Sequence, residues 1–152
     1  MAIVITGGAG SIGSHTAKYL AQQGFQPVVI DNLRTWYRSA VKWGPFIECD
    51  IADRDILRNV FKEYAVDSVI HFAANCYVGE SVTRPSEYFH NNVSNTLSLL
   101  DSMREAGVRN IVFSSSCATF GIPSQTPIRE DSPQQPGNPY GESKLIVEKI
   151  LK

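Results

Sequence analysis

A short apolar run that breaks into glycines near the start of the chain constrains its fold more than any other feature. The run VITGGAGSIG, at positions 4–13, predicts a buried strand over Ala2 to Ile5 and a helix that begins near Ser11. Glycines permit a tight turn, a close approach of the backbone to an anion, and close packing of the helix on the strand. Exposed amides at a helix start, with the positive end of the helix dipole, suit a pyrophosphate.

The spacing of these glycines fits two dinucleotide-binding patterns. Gly8, Gly10 and Gly13 satisfy GxGxxG, and Gly7, Gly10 and Gly13 satisfy GxxGxxG. Either pattern alone is a weak signal, because glycine-rich turns are common. No Lys-Ser or Lys-Thr pair follows Gly13, which excludes the phosphate-binding loop of the NTPases.

An acidic residue after the second predicted strand strengthens the dinucleotide interpretation. Asp31 ends the apolar stretch Pro27 to Ile30 and follows Gly13 by 18 residues (31 minus 13), close to the spacing of about 20 in the fingerprint. A carboxylate there accepts hydrogen bonds from ribose hydroxyls and favours NAD over NADP. Two alternatives remain open, in which Asp31 only starts a turn with Asn32, or Arg34 binds a 2′-phosphate.

Composition indicates one domain and no macromolecular partner. The chain has 152 residues and a net charge of −1, enough for one core and without a basic surface for nucleic acid. Its three cysteines, Cys49, Cys76 and Cys117, predict free thiols in a reducing, cytoplasmic compartment and no metal site. No stretch is typical of a secretion signal or a membrane span. The glycosylation triplet at positions 92–94 is therefore interpreted as chance.

Apolar segments and helical periodicities alternate along the rest of the chain. The later predicted strands are Phe46 to Cys49, Val66 to Phe72 and Asn110 to Phe113. The predicted helices are Ile12 to Gln23, one through Ile56 and Tyr64, Ser86 to Ala106, and a last one starting near Tyr140, after a loop over Ile122 to Pro139. This alternation predicts an α/β fold, a Rossmann-like doubly wound parallel sheet with strand order 3-2-1-4-5.

Ligands of such sheets gather at the carboxyl ends of the strands. Asp50 follows the third strand, where it would meet an adenine amine or merely begin the turn before a helix capped by Asp53. His71 lies inside a strand and is interpreted as a satisfied core histidine in preference to a base. Trp36 and Trp43 fall in a loop near the cofactor edge, and simple packing is the favoured interpretation for both.

Candidate catalytic residues occur in the last helix and after the fifth strand. Tyr140 and Lys144 are four residues apart and share a helix face. An ammonium beside a phenol favours the phenolate, so Tyr140 is a candidate base. The hydroxyl of Ser116 is a candidate hydrogen-bond partner for the same substrate oxygen. A surface Tyr-Lys pair is the alternative.

These segments together resemble the extended short-chain dehydrogenase/reductase family, and within it the UDP-hexose 4-epimerases. The resemblance rests on TGGAGSIGSHT (6–16), DNL (31–33), DI (50–51), HFAA with VGES (71–81), NNV (91–93), FSSSCATFG (113–121) and NPYGESK (138–144). It implies that Ser116, Tyr140 and Lys144 form the catalytic group. The implied NAD contacts are Gly7, Gly10, Ser11, Ile12, Gly13, Asp31, Asn32, Leu33, Arg34, Thr35, Trp36, Asp50, Ile51, Phe72, Ala73, Ala74, Asn75, Cys76, Asn91, Ser114, Tyr140 and Lys144.

The resemblance implies NAD-dependent interconversion of UDP-glucose and UDP-galactose by transient oxidation at carbon 4. Sugar-nucleotide 4,6-dehydratases usually carry an Asp-Glu pair after the position of Ser116, whereas Cys117 and Ala118 stand here. UDP-xylose and UDP-N-acetylhexosamine remain alternative substrates. Ser11 and Cys76 depart from the tyrosine and lysine frequent in the family, and Trp36, Phe120 and Gly137 are also unusual.

Family members exceed this chain in length, so the resemblance implies a cofactor-binding half without the C-terminal domain that holds UDP. The UDP-hexose pocket is then expected to be incomplete, and an NAD-binding scaffold without turnover is the main alternative function. The family also implies a homodimer through helices matching 86–107 and 139–151. A serine hydrolase, suggested by the serine cluster, lacks a nucleophile elbow.

Overall fold

The computed structural model describes the whole chain, Met1–Lys152, as five strands and six α-helices. The strands are β1 (Ala2–Thr6), β2 (Gln26–Asp31), β3 (Phe46–Glu48), β4 (Val66–His71) and β5 (Asn110–Phe113). The helices are α1 (Ser11–Gln22), α2 (Arg54–Glu63), α3 (Val78–Thr83), α4 (Pro85–Phe89), α5 (Asn95–Glu105) and α6 (Pro139–Ile150). None of these helices has both the length and the apolar character needed to cross a membrane.

All five strands form one parallel sheet in the order β3-β2-β1-β4-β5. The predicted fold class and strand order are therefore confirmed. Thr6, the last residue of β1, is level with Ile30 on one side and His71 on the other. The ends of the three central strands consequently meet at one edge of the sheet, where the glycine turn begins.

The chain divides into two compact units. The first comprises residues 1–73 and 97–114 and contains the sheet. The central strands β1 and β2 are continuous buried apolar runs, as expected where both faces of a parallel sheet are covered. One core joins Val4, Val28, Ile30 and Val69 to helices α2 and α5, and a smaller one joins Ile5 and Val29 to Ala17 of α1.

The second unit comprises residues 74–96 and 115–152. It contains α3, α4 and α6, and Leu145 and Val147 of α6 are buried. Tyr88 is fully buried in α4, with its hydroxyl 2.7 Å from the Tyr77 carbonyl oxygen and 2.8 Å from Glu80 Oε2. Burial, followed by the hydrogen bond to Glu80, raises the pKa of Tyr88 to about 12. This tyrosine is therefore a neutral anchor for the segment around residue 77.

The predicted helix Ser86 to Ala106 is confirmed, because α4, a π-helical turn and α5 follow one another without a break over residues 85–105. It begins one residue earlier, because Pro85 occupies the first helical position, which a proline tolerates. A π-helical turn, His90–Ser94, then separates α4 from α5. This wider turn accommodates one extra residue, as a π-bulge does. Such bulges occur frequently at functional sites.

Other differences concern short elements. The sequence did not reveal α3 or the 3₁₀ turns Arg38–Ala40 and Cys117–Phe120. Pro139, predicted to close the loop, is the first residue of α6, again at a position that suits proline. Elements of three to six residues carry too little periodicity to be recognised from sequence.

Candidate functional site

The turn between β1 and α1, and the first turn of α1 itself, each contain a position that accepts only glycine. Gly7 has a φ of +70°, and a β-carbon there would lie 2.7 Å from the Ala73 nitrogen. A β-carbon on Gly13 would lie 2.4 Å from the Gly7 carbonyl oxygen. Because these neighbours are backbone atoms, they cannot rotate away. The glycines therefore bring α1 directly onto the turn, as the sequence predicted.

The first turn of α1 presents its amides outward without a cap. Gly10 precedes the helix and supplies no side chain, and no acidic residue lies in the first turn. The first helical hydrogen bond is donated by the Ser14 amide to the Gly10 carbonyl oxygen, at 2.9 Å. The amides of Ser11, Ile12 and Gly13 thus have no partner within the helix. Such a cradle, with Ser11 and Ile12 exposed, fits an anionic phosphate group.

The carboxylate of Asp31 faces this turn. One oxygen accepts a hydrogen bond from the Ala9 amide at 3.0 Å, and the other accepts one from the Leu33 amide at 2.9 Å. The side chain is buried, 8% exposed, so it is fixed in this direction. Each carboxylate oxygen can still accept a second hydrogen bond. Asp31 therefore organises a turn, as one interpretation held, and it also lies beside the glycine cradle, where the dinucleotide interpretation needs a carboxylate.

Asp50 is occupied by structural contacts. Its carboxylate accepts hydrogen bonds from the Ala52 amide at 2.9 Å and from Asn32 Nδ2 at 2.8 Å. Asp53 caps α2 by accepting a hydrogen bond from the Ile56 amide. The capping interpretation is confirmed, and Asp50 additionally ties the segment after β2 to the segment after β3. Contacts of Asp50 and the buried Ile51 with an adenine stay predictions.

His71 has the role that the sequence favoured. Its ring is buried, its Nδ1 lies 2.6 Å from the Thr6 hydroxyl, and it stacks on Phe113 with ring centroids 5.7 Å apart. It is a satisfied core histidine. Trp36 and Trp43 are 44% and 37% exposed, so neither ring belongs to the core, and the simple packing favoured for them stays a prediction.

In the second unit, the start of α6 lies against the turn that follows Ser116. Asn138 caps α6 by accepting a hydrogen bond from the Gly141 amide at 2.8 Å. A β-carbon on Gly141 would lie 2.5 Å from the Ala118 carbonyl oxygen. Ser116 in turn accepts a hydrogen bond from the Ala118 amide at 3.1 Å. The predicted serine and tyrosine thus belong to two segments in direct contact.

Lys144 is buried and lies beside Tyr140. Only 4% of the residue is exposed, and its Nζ is 6.0 Å from the centroid of the Tyr140 ring. The shared helix face predicted for this pair is confirmed. Burial lowers the pKa of Lys144 to about 8, and the negative charge of a Cys76 thiolate opposes that shift. A buried ammonium close to a phenol is an arrangement suited to proton transfer.

Asn92 is the residue of this unit that sequence reasoning missed. Its Oδ1 accepts hydrogen bonds from the Asn75 amide at 2.8 Å and from Asn91 Nδ2 at 3.0 Å. Its Nδ2 donates to the Asn75 carbonyl oxygen and to Ser143 Oγ, both at 3.0 Å. Ser143 Oγ also donates to the Tyr140 carbonyl oxygen at 2.7 Å. Asn92 therefore links the segment after β4 to the first turn of α6.

The sequence held a weak signal for this role, namely an asparagine among apolar residues of a predicted helix. The neighbouring Asn91 was selected as a cofactor contact instead, and that contact stays a prediction. The Asn92 side chain is buried and fully hydrogen-bonded, so its amide nitrogen has no space for a glycan.

Comparison with known proteins agrees with these features. The NAD dependent epimerase/dehydratase family matches residues 3–152. The chain belongs to this family. Within the family, a UDP-glucose 4-epimerase from Halalkalibacterium halodurans is 51% identical over 151 residues, which make up 99% of this chain and 45% of the relative.

Two solved structures of family members are similar over nearly the whole chain. The UDP-glucose 4-epimerase from Brucella ovis in complex with NAD is 55% identical with a TM-score of 0.97, over 99% of this chain and 46% of that chain. The enzyme from Stenotrophomonas maltophila, with bound NAD and formylated UDP-arabinopyranose, is 40% identical with a TM-score of 0.97, over 99% of this chain and 47% of that one. This family member spans about half the length of these relatives.

The three cysteines of this family member are unpaired, but they are expected to differ in reactivity. Burial, followed by the nearby Asp53 and Asp50 carboxylates, raises the pKa of Cys49 from 9.0 to about 11. At neutral pH, the fraction of Cys49 present as the reactive thiolate is therefore about 100-fold lower. Iodoacetamide at neutral pH should label the exposed Cys76 and Cys117 and leave Cys49 unmodified in the folded protein. Peptide mass spectrometry over time would test this, and equal labelling of all three thiols would contradict it.

The buried Lys144 predicts a measurable dependence of stability on pH. Because its pKa is lowered from 10.5 to about 8, the folded chain binds fewer protons than the unfolded chain between these values. The cost of burying the charge is thus fully present below about pH 8 and is relieved as the pH rises. Lys144→Met should stabilise the fold at neutral pH by up to about 3 kcal/mol, less the contacts that are lost.

The same substitution should flatten the pH dependence of the urea midpoint above about pH 8. Lys149→Met is the matched control, because Lys149 lies on the same helix and is exposed. Equal changes in both variants would show that the buried charge has no special cost.

Proposed function

We propose that this chain carries the NAD site and the proton-transferring residues of a UDP-glucose 4-epimerase. The observation that supports this most is the uncapped start of α1 beside the buried Asp31 carboxylate. Helix amides would bind the pyrophosphate, and the carboxylate would bind the adenosine ribose hydroxyls. A fixed negative charge at this position would repel a 2′-phosphate, so NAD is favoured over NADP.

The proposed chemistry of the second unit is proton transfer at the sugar 4-hydroxyl. Tyr140 would take the proton, with the Lys144 ammonium beside its ring. Ser116 would orient the hydroxyl by a hydrogen bond. When bound, NAD would supply a reversible acceptor for the hydride of the sugar carbon 4. Cys117 and Ala118 provide no acid-base pair after Ser116, which argues against a 4,6-dehydratase.

The individual NAD contacts, the sugar substrate and self-association are also proposals. NAD contacts are proposed for the remaining predicted residues, including Phe72 to Cys76, Asn91 and Ser114. UDP-glucose and UDP-galactose are the proposed substrates, with UDP-xylose and UDP-N-acetylhexosamine as competitors to be assayed. Self-association through the helices of residues 86–107 and 139–151 is also proposed, but Leu145 and Val147 are already buried within the chain. Only Leu97 and Ile150, among the large apolar residues of these helices, are strongly exposed.

Calorimetric titration with NAD, followed by an assay of UDP-galactose conversion, tests the proposal. Binding with turnover supports the epimerase, and binding without turnover supports the NAD-binding scaffold. Absence of binding would contradict both. Where turnover is present, Tyr140→Phe should abolish it and leave NAD affinity within a few fold, because the phenol ring and the helix remain.

A further inference from the structure

The carboxylate of Glu148 joins two segments of the second unit to α6. Its Oε1 accepts a hydrogen bond from the Ser115 hydroxyl, and its Oε2 accepts one from Gln134 Nε2 at 2.8 Å. Ser115 directly precedes Ser116 in the chain, and Gln134 belongs to the loop before α6. Both oxygens of this carboxylate therefore hold parts of the chain that lie outside the helix.

A second route leads from the same carboxylate to the carbonyl group of Ser116. Gln134 Nε2 also donates to Thr119 Oγ1 at 3.2 Å. The Thr119 hydroxyl donates to the Ser116 carbonyl oxygen at 2.9 Å, and the Thr119 amide donates to the same oxygen at 3.2 Å. Thr119 is fully buried, which limits its freedom to reorient. Ser116 is thus held through the residue before it and through its own carbonyl group.

The helix that carries Glu148 also carries Tyr140 and Lys144. The three residues follow one another at intervals of four positions, so they lie along one side of α6. From Tyr140 to Glu148 the helix rises by about 12 Å. A single rigid element therefore bears the proposed base at its start and the anchor of the Ser116 segment two turns later.

We infer that Glu148 is a positioning residue of the proposed reaction, which sets the place of the Ser116 hydroxyl relative to Tyr140. The inference rests on the proposed function, because that function gives Ser116 its task at the substrate hydroxyl. Catalytic groups must be held within about 0.5 Å of a productive geometry, and a displacement of about 1 Å can cost about 100-fold in rate. Hydrogen bonds to a carboxylate are stronger than those between neutral groups, which suits Glu148 to this task.

Amide hydrogen exchange and steady-state kinetics of the whole chain test the inference. The Ala118 and Thr119 amides donate to Ser116. In Glu148→Ala they should exchange at least about tenfold faster, while the amides of β1 and the thermal midpoint stay as in the parent chain. Where the chain turns over, kcat for UDP-galactose should fall about 10- to 100-fold, with KM and NAD affinity within about threefold. Glu148→Gln keeps the length of the side chain and one acceptor oxygen, so both effects should be smaller.

Two neighbouring glutamines provide a second variant and its matched control. Gln134→Ala breaks the route to Thr119 without altering α6, so exchange of the Thr119 amide should again become faster. Gln135 is exposed, and Gln135→Ala should leave the exchange of that amide and the turnover unchanged.

Several outcomes would overturn the inference. Unchanged exchange of the Ala118 and Thr119 amides in Glu148→Ala would do so, whatever the turnover. Equal acceleration of every amide in the second unit would show that Glu148 only stabilises that unit. Faster exchange with an unchanged kcat, or a parallel loss of NAD affinity, would refute a role through Ser116. Absence of turnover in the parent chain would count against the epimerase alone, and the exchange rates would then decide the inference.

Discussion

Gly13→Ala is expected to weaken NAD binding by about 100-fold and to lower the free energy of unfolding by about 2–3 kcal/mol. The added methyl group would lie 2.4 Å from the Gly7 carbonyl oxygen and 2.7 Å from Gly8 Cα. Both contacts are with backbone, so α1 must move away from the turn. That displacement would misplace the Ser11 and Ile12 amides, and each charge-assisted hydrogen bond lost costs about 1.5–3 kcal/mol.

Calorimetry for NAD affinity and urea unfolding for stability would measure the two effects. Gly79→Ala is the matched control, because no atom lies within 4 Å of its built β-carbon and it is also helical. The control should be neutral or slightly stabilising, since alanine favours helix over glycine. Retention of NAD affinity within threefold in Gly13→Ala would contradict the assignment of the helix amides to the pyrophosphate.

Asn92→Ala is expected to destabilise the second unit by about 2–4 kcal/mol. The substitution removes four hydrogen bonds at a buried position and leaves the Asn75 amide and carbonyl groups without partners. An unsatisfied buried polar group costs about 1–3 kcal/mol. The link from Asn92 through Ser143 to the Tyr140 carbonyl would also be broken, so the first turn of α6 should become more mobile.

Hydrogen exchange of the Asn75 amide and of the α6 amides would report the effect locally, with urea unfolding as the global measure. Asn91→Ala is the control, because its side chain donates one hydrogen bond, to Asn92 itself. The control should lose less than about 1 kcal/mol. Equal protection of the Asn75 amide in the parent chain and in Asn92→Ala would refute the role of this residue as a link.

Much of the candidate site was readable from sequence because its signals are local. The positive φ of Gly7 and the contact of Gly13 with the Gly7 carbonyl oxygen are local requirements, and the spacing of the two glycines appears directly in the chain. The i, i+4 relation of Tyr140 and Lys144 likewise follows from helix periodicity. The strand order followed from the alternation of apolar and helical segments, which limits a parallel sheet to few topologies.

The structural features that the sequence did not reveal have a different physical origin. The π-helical turn that directs Asn92 inward is a small change in helix winding, and no period in the sequence marks it. The position of Trp36 against Gly10 was not readable either, because aromatic composition does not say whether a ring enters a core or borders a turn. The burial of Lys144 was also invisible, since a lysine on a helix ordinarily extends into solvent.

The sequence by itself determined the sheet, the glycine turn with Asp31 beside it, and the pairing of Tyr140 with Lys144. These depend on hydrophobic periodicity and on conformations open only to glycine, both encoded by neighbouring residues. Only the tertiary structure decided that Asn92 joins residues 17 and 51 positions away, that Trp36 faces Gly10, and that Lys144 is buried. Those arrangements arise from contacts between distant segments, whose free energies become visible once the chain has brought them together.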